Sequence, residues 1–383
     1  MAKSKPETEE NIEGDLPKRT KITKKEFSLD DFKNKMNLDE NVKDKDITWY
    51  ELSPAFKKAT GLPGFPRGYI CASRGFSDTG KSTSVFEAAV AAQRMGDLPL
   101  IIDVENNIDW EHMKKMGFKF EEVVDENTGE VTNYKGHFIY VNSTYLLDNY
   151  GKKKDKNRRE PSIEDSSRFI NDMLELQEND QLPYNLCIIY DSIGVLNSVQ
   201  VLKSLDEDTN NNNMWNAGSI EVNFKGLWNH QIPISRKENR KYINTFIAVQ
   251  RVWEKSVGGK PILENKGGKA LYSAARLFIS FGGVMSHGIS KLYATKNGKK
   301  IHMGNITKCS VLKNQIGGGF GGVSLEGELI STAYGFIENT KEAINDFKKE
   351  HLDYFNNLLG EDGDDDFEVI EVIEKVSLKD AEE

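Results

Sequence analysis

The sequence predicts an α/β fold in which helices cover both faces of a mostly parallel central sheet. Two observations predict it. Six short apolar runs alternate with helical segments between residues 68 and 281, and a glycine-rich turn joins the first run to a helix. Continuous apolar runs are typical of strands that are buried on both faces. A chain of 383 residues also has room for two or three domains.

The predicted elements follow in chain order. The strands of the sheet are predicted at residues 68–73, 99–104, 137–141, 185–190, 245–249 and 277–281. Helices are predicted at residues 82–95, 110–116, 163–177 and 341–359, where apolar residues recur at helical spacing. Shorter strands are predicted at residues 46–52, 291–295 and 305–312. Ser28 is a candidate N-cap for a short helix with apolar positions near Phe32.

The charge of the chain is strongly localised. The formal net charge is −9, and residues 361–383 carry all of it, with eleven acidic and two basic side chains. By contrast, residues 281–322 contain six lysines and no acid. We therefore divide the chain into a charged arm with a candidate oligomerisation helix (1–45), a core (46–325), a small helical region (326–360) and an acidic disordered tail (361–383).

Several classes of protein are excluded by composition. No apolar run approaches the ~18 residues of a membrane span, and no signal peptide is expected. Cys71, Cys187 and Cys309 show no C-x-x-C spacing and lie in apolar runs, which favours a reducing cytoplasm. The six histidines show no zinc-binding spacing. The sequence thus predicts a cytoplasmic protein with no membrane partner.

A phosphate-binding motif follows the first predicted strand. The segment from Gly75 to Ser82 is a full G-x-x-x-x-G-K-[ST] at the start of a helix, where backbone N–H groups and the helix N-terminus attract phosphate. Lys81 would neutralise the β- and γ-phosphates, and the Ser82 hydroxyl would bind Mg²⁺. The residues assigned to the nucleotide on this motif are Gly75, Phe76, Ser77, Asp78, Thr79, Gly80, Lys81, Ser82 and Thr83. The chain is therefore expected to bind ATP or GTP with Mg²⁺.

Two further carboxylates complete a candidate hydrolytic site. Asp191 ends an apolar strand and is expected to hold Mg²⁺ beside Ser82, although a strand-end Asp also serves as an ordinary cap. Glu105 lies just beyond the strand that ends at Asp103, and we expect it to act as the base for an attacking water. The alternative is that one of these two acids caps the following helix.

These motifs together resemble the RecA recombinases. The resemblance covers roughly residues 49–336 and includes Gly64-Phe-Pro-Arg-Gly68, the phosphate loop, Asp103-Val-Glu105, Asp191-Ser-Ile-Gly194, Gln250, and Gly267-Gly268-Lys269 before residues 275–278. It implies a RecA-like P-loop ATPase core. The Asp-Ser-Ile-Gly form, the short C-terminal part and the acidic end are most similar to phage recombinases of the UvsX type. A phage-encoded protein would act in the host cytoplasm.

The resemblance implies a DNA-binding segment that reports on the nucleotide. Gln250 matches the family's sensor of the γ-phosphate, though an ordinary strand-end Gln is the plain alternative. The segment 251–269 matches the second DNA-binding loop, against the alternative of a flexible surface loop. Its assigned residues are Arg251, Trp253, Lys255, Lys260, Lys266, Gly267, Gly268 and Lys269. The long segment 195–239, expected to hold the first DNA-binding loop, does not match closely.

Further nucleotide contacts are implied by the same resemblance. Asp109 falls where the family binds the adenine amino group, and His112 where a ring stacks on the base. Lys313 matches a lysine that reaches the γ-phosphate of a neighbouring subunit, but the second lysine of that site is Gln315 here. Tyr334 would pack near the neighbour's adenine.

The expected function is ATP-dependent DNA strand exchange by filaments on single-stranded DNA, in homologous recombination, repair and recombination-dependent replication. Expected partners are single- and double-stranded DNA, further copies of the chain, and single-strand-binding and mediator proteins. A hexameric RecA-fold helicase or motor, and a non-catalytic ATP-gated scaffold on single-stranded DNA, are the alternatives. The basic cluster at residues 152–159 is interpreted as a solvated loop.

Overall fold

The computed structural model describes residues 28–36, 43–206, 212–257, 260–283, 288–316, 326–359 and 367–375. The chain forms two compact units, residues 1–43 and 44–383. In the first unit, helix α1 (Leu29–Lys35) begins after Ser28, whose side chain accepts a hydrogen bond from the backbone N–H of Asp31. The capped helix predicted from Ser28 is therefore present.

The described part of the second unit is built from short helices and many strands. Its helices are α2 Pro54–Thr60, α3 Lys81–Met95, α4 Trp110–Lys115, α5 Ser143–Leu146, α6 Lys152–Lys154, α7 Ile163–Glu178, α8 Val199–Asp206, α9 Asn212–Gly226, α10 Ile232–Ser235, α11 Ala270–Ala274, α12 Lys341–Glu350 and α13 Leu352–Leu359. Its strands are β1 Trp49–Glu51, β2 Gly64–Pro66, β3 Ile70–Gly75, β4 Leu98–Asp103, β5 Glu121–Val124, β6 Val131–Lys135, β7 Ile139–Asn142, β8 Leu186–Ile193, β9 Asn244–Val257, β10 Lys260–Asn265, β11 Leu277–Phe281, β12 Gly288–Lys296, β13 Lys299–Asn314, β14 Glu326–Thr332, β15 Gly335–Glu338 and β16 Glu368–Lys375.

One large sheet organises this unit. Its strand order is β15-β14-β13-β11-β3-β9-β8-β4-β7, and the six strands from β11 to β7 are parallel. These six strands are the six predicted from the apolar runs, so the predicted fold class is confirmed. β13, β14 and β15 continue the sheet with antiparallel pairing.

Successive strand residues point into two different cores, as buried parallel strands require. Ile101 packs on one face with Ala88 of α3, whereas Ile102 packs on the other face with Phe169 of α7 and Phe224 of α9. Consequently, helices on both faces fix the carboxyl ends of the parallel strands at one edge of the sheet. No helix in the described ranges is both long and apolar enough to cross a membrane.

Asp97, at the start of β4, joins three parts of the amino edge of the sheet. Its side chain is 1% exposed and accepts hydrogen bonds from the Tyr50 hydroxyl (2.8 Å), from Arg67 Nε and Nη2 (both 2.7 Å) and from Asn185 Nδ2 (2.9 Å). The bidentate Arg67 contact neutralises the buried carboxylate. This network ties β1 and the turn before β3 to β4 and β8.

Two predicted loops contain regular structure. The long segment at residues 195–239 holds α8, α9, α10 and the π-helical turn Leu227–Gln231, and its Phe224 and Trp228 are core residues. The basic segment at residues 152–159 is anchored by Arg158, which pairs with the buried Asp165 of α7 at 2.6 Å. Arg158 therefore serves the fold, while its lysine neighbours stay exposed.

The C-terminal part departs from two expectations. The region 326–360, expected to be helical, begins with β14 and β15, and only then forms α12 and α13. The tail expected to be disordered contains β16, which pairs antiparallel with β12. Phe367 is buried before this strand, and Val369 packs against the same core, so apolar residues between the acidic ones hold the strand in place. Residues 361–366 and 376–383 lie outside the described ranges.

Candidate functional site

The phosphate-binding loop lies between β3 and α3, as predicted. Gly80 has φ +91°, a conformation that L side chains rarely adopt, and a Cβ on Gly75 would lie 2.3 Å from the carbonyl oxygen of Phe281. Both positions therefore need glycine. Within the loop, the Thr79 hydroxyl donates to the Phe76 carbonyl at 2.8 Å, and Lys81 Nζ donates to the same carbonyl. Two hydrogen bonds to the Phe76 carbonyl thus hold the loop, and one of them comes from Lys81.

Ser82 and Asp191 meet at the carboxyl edge of the sheet. The Ser82 hydroxyl donates to Asp191 Oδ2 at 3.0 Å. Burial, reinforced by the charge of Glu105, raises the pKa of Asp191 to about 6, and burial lowers the pKa of Lys81 to about 8. Hydroxyl and carboxylate oxygens are ligands that Mg²⁺ prefers. The predicted metal-binding pair is therefore assembled with a donor set that fits this ion.

Asp103 shapes the turn that carries Glu105. The Asp103 carboxylate, 1% exposed, accepts backbone hydrogen bonds from Glu105 and Asn107 at 3.2 Å and from Ile108 at 3.0 Å. The Tyr140 hydroxyl also donates to it at 3.2 Å. Of the two acids considered at this strand end, Asp103 is the one that holds the following turn.

Glu105 lies beside the phosphate loop and is engaged at both carboxylate oxygens. The Ser192 hydroxyl donates to Oε1, and Arg251 Nη2 forms an ion pair with Oε2. Asn107 Nδ2 also donates to Oε2 at 3.2 Å. The ends of β4 and β8 and the middle of β9 thus contribute to one polar cluster. Glu105 and Arg251, predicted from sequence for hydrolysis and for DNA binding respectively, are therefore in direct contact.

Gln250 links β9 to the segment that follows β10. Its side chain is fully buried, and Nε2 donates to the carbonyls of Lys266 (2.9 Å) and Gly268 (3.4 Å). Its Oε1 is buried with no hydrogen-bond partner among the described residues. The amide therefore holds the base of the predicted DNA-binding segment, and the sheet register pairs Gln250 with Arg74, the residue before the phosphate loop.

The predicted DNA-binding loop at residues 251–269 is largely a β-hairpin. β9 continues past Gln250 and pairs antiparallel with β10. On one face, Glu264 accepts a hydrogen bond from Trp253 Nε1 at 3.2 Å and pairs with Lys255 Nζ at 3.3 Å. The Trp253 side chain is 42% exposed. The ribbon thus presents an aromatic ring and a cation side by side at its surface.

The other residues assigned to this segment lie around it. Lys260 begins β10 and is exposed, while at the base of the hairpin Lys266 is half-buried and Lys269 is exposed. Gly267 and Gly268 have φ of +83° and +85°, and a Cβ on Gly267 would lie 2.9 Å from the Cα of Gly194. The hairpin base therefore packs closely on the turn after β8.

A cleft of about 450 Å³ lies next to the phosphate loop. Asp109 and His112, the two residues that the resemblance assigns to the adenine, line it. Asp109 caps α4 by accepting from the His112 backbone at 3.1 Å. Burial lowers the pKa of His112, and its Nε2 is buried without a partner within the described chain. The neutral ring therefore presents a polar atom that has no protein partner to satisfy it.

Several residues of this cleft were missed by sequence reasoning. They are Lys115, His302, Met303, Gly304, Asn305, Ser331, Thr332, Ala333 and Tyr354. Asn305 Nδ2 donates to the Asp78 carbonyl at 2.9 Å, and the Ser331 and Thr83 hydroxyls lie 2.7 Å apart. These contacts come from β13 and β14, far from the motif in sequence. No local sequence pattern predicts these contacts.

Comparison with known proteins addresses the N-terminal part of this arrangement. A family model described as the RecA N-terminal domain matches residues 23–133. Protein RecA of Desulforapulum autotrophicum is 35% identical over 80 residues, which are 20% of this chain and 23% of that protein. Protein RecA of Enterococcus faecalis is 33% identical over 97 residues, 25% of this chain and 28% of that protein. Through this segment the chain is similar to the RecA proteins.

The match to RecA has a limited extent. The chain spans about a quarter of the length of these curated RecA relatives. The phosphate loop, Glu105, Asp109 and His112 lie inside the RecA segment, whereas Asp191, Gln250 and the hairpin lie beyond it. The assignment of the latter residues therefore rests on their positions in the fold.

Two residues assigned to a neighbouring subunit's nucleotide lie away from the phosphate loop. Lys313 Nζ donates to the carbonyls of Tyr272 (2.9 Å) and Ser273 (3.1 Å), and Lys313 pairs with Phe278 near the start of β11. Tyr334 stacks on His351 with ring centroids 3.6 Å apart. Neither residue lines the cleft of its own chain, so a role at the phosphates would require a second copy.

Proposed function

We propose that the chain is an ATP-dependent DNA strand-exchange recombinase that forms filaments on single-stranded DNA in homologous recombination, repair and recombination-dependent replication. One observation carries this proposal. Gln250 pairs with Arg74, the residue before the phosphate loop, and donates to the base of a hairpin that exposes both cations and an aromatic ring. Such a ribbon can neutralise DNA phosphates and stack on bases.

The nucleotide-binding roles follow from the cluster at the sheet edge. Residues 75–83 would cradle the phosphates of ATP, Lys81 would neutralise them, and Ser82 and Asp191 would hold Mg²⁺. Bound Mg²⁺ would supply charge neutralisation on the phosphate oxygens. Asp109 and His112 would contact the adenine from the adjoining cleft. Glu105 would accept a proton from the attacking water.

Gln250 would couple ATP to DNA. Its Nε2 can donate to a γ-phosphate oxygen only by giving up a carbonyl at the hairpin base, because both of its N–H groups are directed at Lys266 and Gly268. Nucleotide binding and the conformation of the hairpin would therefore be linked through a single amide.

Assembly would bring Lys313 and Tyr334 to the nucleotide of a neighbouring subunit, with the arm around residues 27–52 docked on the next copy. On α1, the apolar side chains of Leu29, Phe32 and Met36 are exposed. Single-strand-binding and mediator proteins would load the filament. Similarity to phage UvsX-type recombinases, and thus a host cytoplasm, belongs to this proposal.

The test measures homology-dependent pairing and ATP turnover on the same preparation. With ATP and single-stranded DNA, we expect joint molecules with homologous duplex, and helical filaments by electron microscopy. Closed rings that unwind forks, with no joint molecules, would favour the hexameric helicase or motor.

Glu105→Gln separates the enzyme from a non-catalytic scaffold. This variant should bind nucleotide as the parent does and lose DNA-stimulated ATP turnover by ~10²-fold or more, since a general base typically contributes that much. Unchanged turnover would show that Glu105 is not the base.

A further inference from the structure

The contact between Glu105 and Arg251 has a consequence for the proposed reaction. Glu105 Oε1 accepts from Ser192, and Oε2 is shared by Arg251 and Asn107. The Glu105 side chain is 10% exposed, whereas that of Arg251 is 42% exposed. The carboxylate is thus enclosed and fully occupied, and its cationic partner faces solvent.

A carboxylate in this arrangement is a poor general base. A base must hold a water within hydrogen-bond reach and take its proton. Here the guanidinium of Arg251 occupies Oε2, one of the two oxygens that could hold such a water. Lys81 and Asp191 also act electrostatically in this cluster, with opposite signs, but both belong to the nucleotide site itself. Arg251 is the charged partner of Glu105 that belongs to the hairpin.

We propose that Arg251 restrains Glu105 until DNA binds. The proposal rests on the proposed function above, and it adds that DNA binding controls Glu105, the proposed general base. Because Arg251 directly follows Gln250 and is the first residue of the exposed hairpin, a DNA phosphate can compete with Glu105 for the guanidinium. Loss of the ion pair opens one acceptor position on Oε2 for water, while Asn107 still donates to Oε2 and Ser192 still orients Oε1.

This connection is distinct from that of Gln250. Gln250 contacts the backbone carbonyls at the base of the hairpin and would respond to nucleotide. Arg251 contacts Glu105, the proposed general base, and would respond to DNA. Of these two neighbouring residues on β9, Gln250 would transmit nucleotide binding to the hairpin, and Arg251 would transmit DNA binding to Glu105.

The first experiment measures ATP turnover with and without single-stranded DNA. Arg251→Ala should raise DNA-independent turnover by about three- to tenfold, the effect of losing a partly exposed ion pair, and should reduce the stimulation by DNA. Arg251→Lys should keep turnover low, because a cation remains. The control is Lys241→Ala, which breaks an exposed ion pair with Asp180 (2.6 Å) and should change neither value.

The second experiment needs no nucleotide. If DNA takes Arg251 from Glu105, then by reciprocity removing the Glu105 charge must strengthen DNA binding. Glu105→Gln should bind a single-stranded oligonucleotide severalfold more tightly than the parent in fluorescence anisotropy. The double variant Glu105→Gln with Arg251→Ala should lose this gain, because the two changes act on one contact.

The outcomes separate this proposal from the proposed function. If Arg251→Ala lowers both turnover values, or if Glu105→Gln leaves nucleotide-free DNA binding unchanged, the restraint by Arg251 is overturned while the ATPase assignment stands. If Glu105→Gln retains full turnover, the assignment of the base itself fails. Arg251→Gln replaces Arg251→Ala should the alanine variant fold poorly, with the same expected rise.

Discussion

The Ser82 hydroxyl lies 3.0 Å from Asp191 Oδ2, and this contact joins the phosphate loop to the end of β8. The pKa of Asp191, raised to about 6, means that this carboxyl carries a proton at lower pH in the nucleotide-free protein. A magnesium ion binds the charged form. Below about pH 6, metal binding must therefore displace the proton from Asp191.

We accordingly predict that Mg²⁺-dependent nucleotide binding weakens as the pH falls through 6. Calorimetry in buffers of different ionisation enthalpy should detect proton release near pH 6. Asp191→Asn should remove the part of this release that belongs to the protein, leaving that of the nucleotide. The same release in the parent and in Asp191→Asn would contradict the assignment.

Gln250→Asn should uncouple nucleotide from DNA. The shorter amide cannot reach the Lys266 carbonyl, so we expect nearly normal nucleotide binding but a loss of about tenfold in the ATP-induced gain of DNA affinity. Anisotropy with a nonhydrolysable ATP analogue measures this gain. Asn265→Ala is the matched control, because Asn265 bonds Arg74 (2.9 Å) at the same hairpin base without contacting Gln250. An equal loss in both variants would point to general loosening of the hairpin.

Trp253→Ala should weaken binding of single-stranded DNA by ~1–3 kcal/mol, the typical contribution of one base stacked on an aromatic ring. Trp253→Phe should restore most of the affinity, since a ring remains. Tyr184→Ala provides a control, because Tyr184 is an exposed ring just before β8, at the opposite edge of the sheet. The stacking role would be refuted if Trp253→Ala bound DNA like the parent.

Asp97→Ala should destabilise the fold by ~3–5 kcal/mol, because it leaves the guanidinium of Arg67 without its carboxylate in a mostly buried site. The Arg67 side chain is 13% exposed. Urea denaturation would measure the change, and Lys241→Ala, on a surface ion pair, should stay within about 1 kcal/mol of the parent. Similar losses in the two variants would mean that the Asp97 network is not a structural anchor.

Much of the architecture was predictable because strand burial is encoded locally. The runs around Ile101 and Ile188 are apolar on both faces, and this property alone places them inside a covered parallel sheet. The phosphate loop was equally predictable, since its spacing reflects backbone geometry. The ion pair of Glu105 with Arg251 was not, because the two residues are 146 positions apart and no periodicity relates them.

Two segments contain strands where the sequence predicts none. The segment after Gln250 is predicted as a loop because it resembles the family's second DNA-binding loop, although Gly258-Gly259 is a dipeptide typical of a two-residue hairpin connection. The eleven acids of the C-terminal segment predict a disordered tail, whereas the apolar Val369 and Val372 between them belong to β16. In both segments the pairing of the strands outweighs the polar composition.

The pairing of β16 with β12 affects how the acidic end can be studied. Deleting residues 361–383 is expected to strengthen DNA binding and to change its salt dependence. The same deletion would strip a partner from β12 and leave a bare strand edge, which invites association between chains. Asparagine in place of Asp362, Asp364, Asp365 and Asp366 removes charge and keeps the strand. The acidic end therefore combines a charged segment with a strand that covers β12. A truncation removes both, so that association between chains would be read as stronger DNA binding.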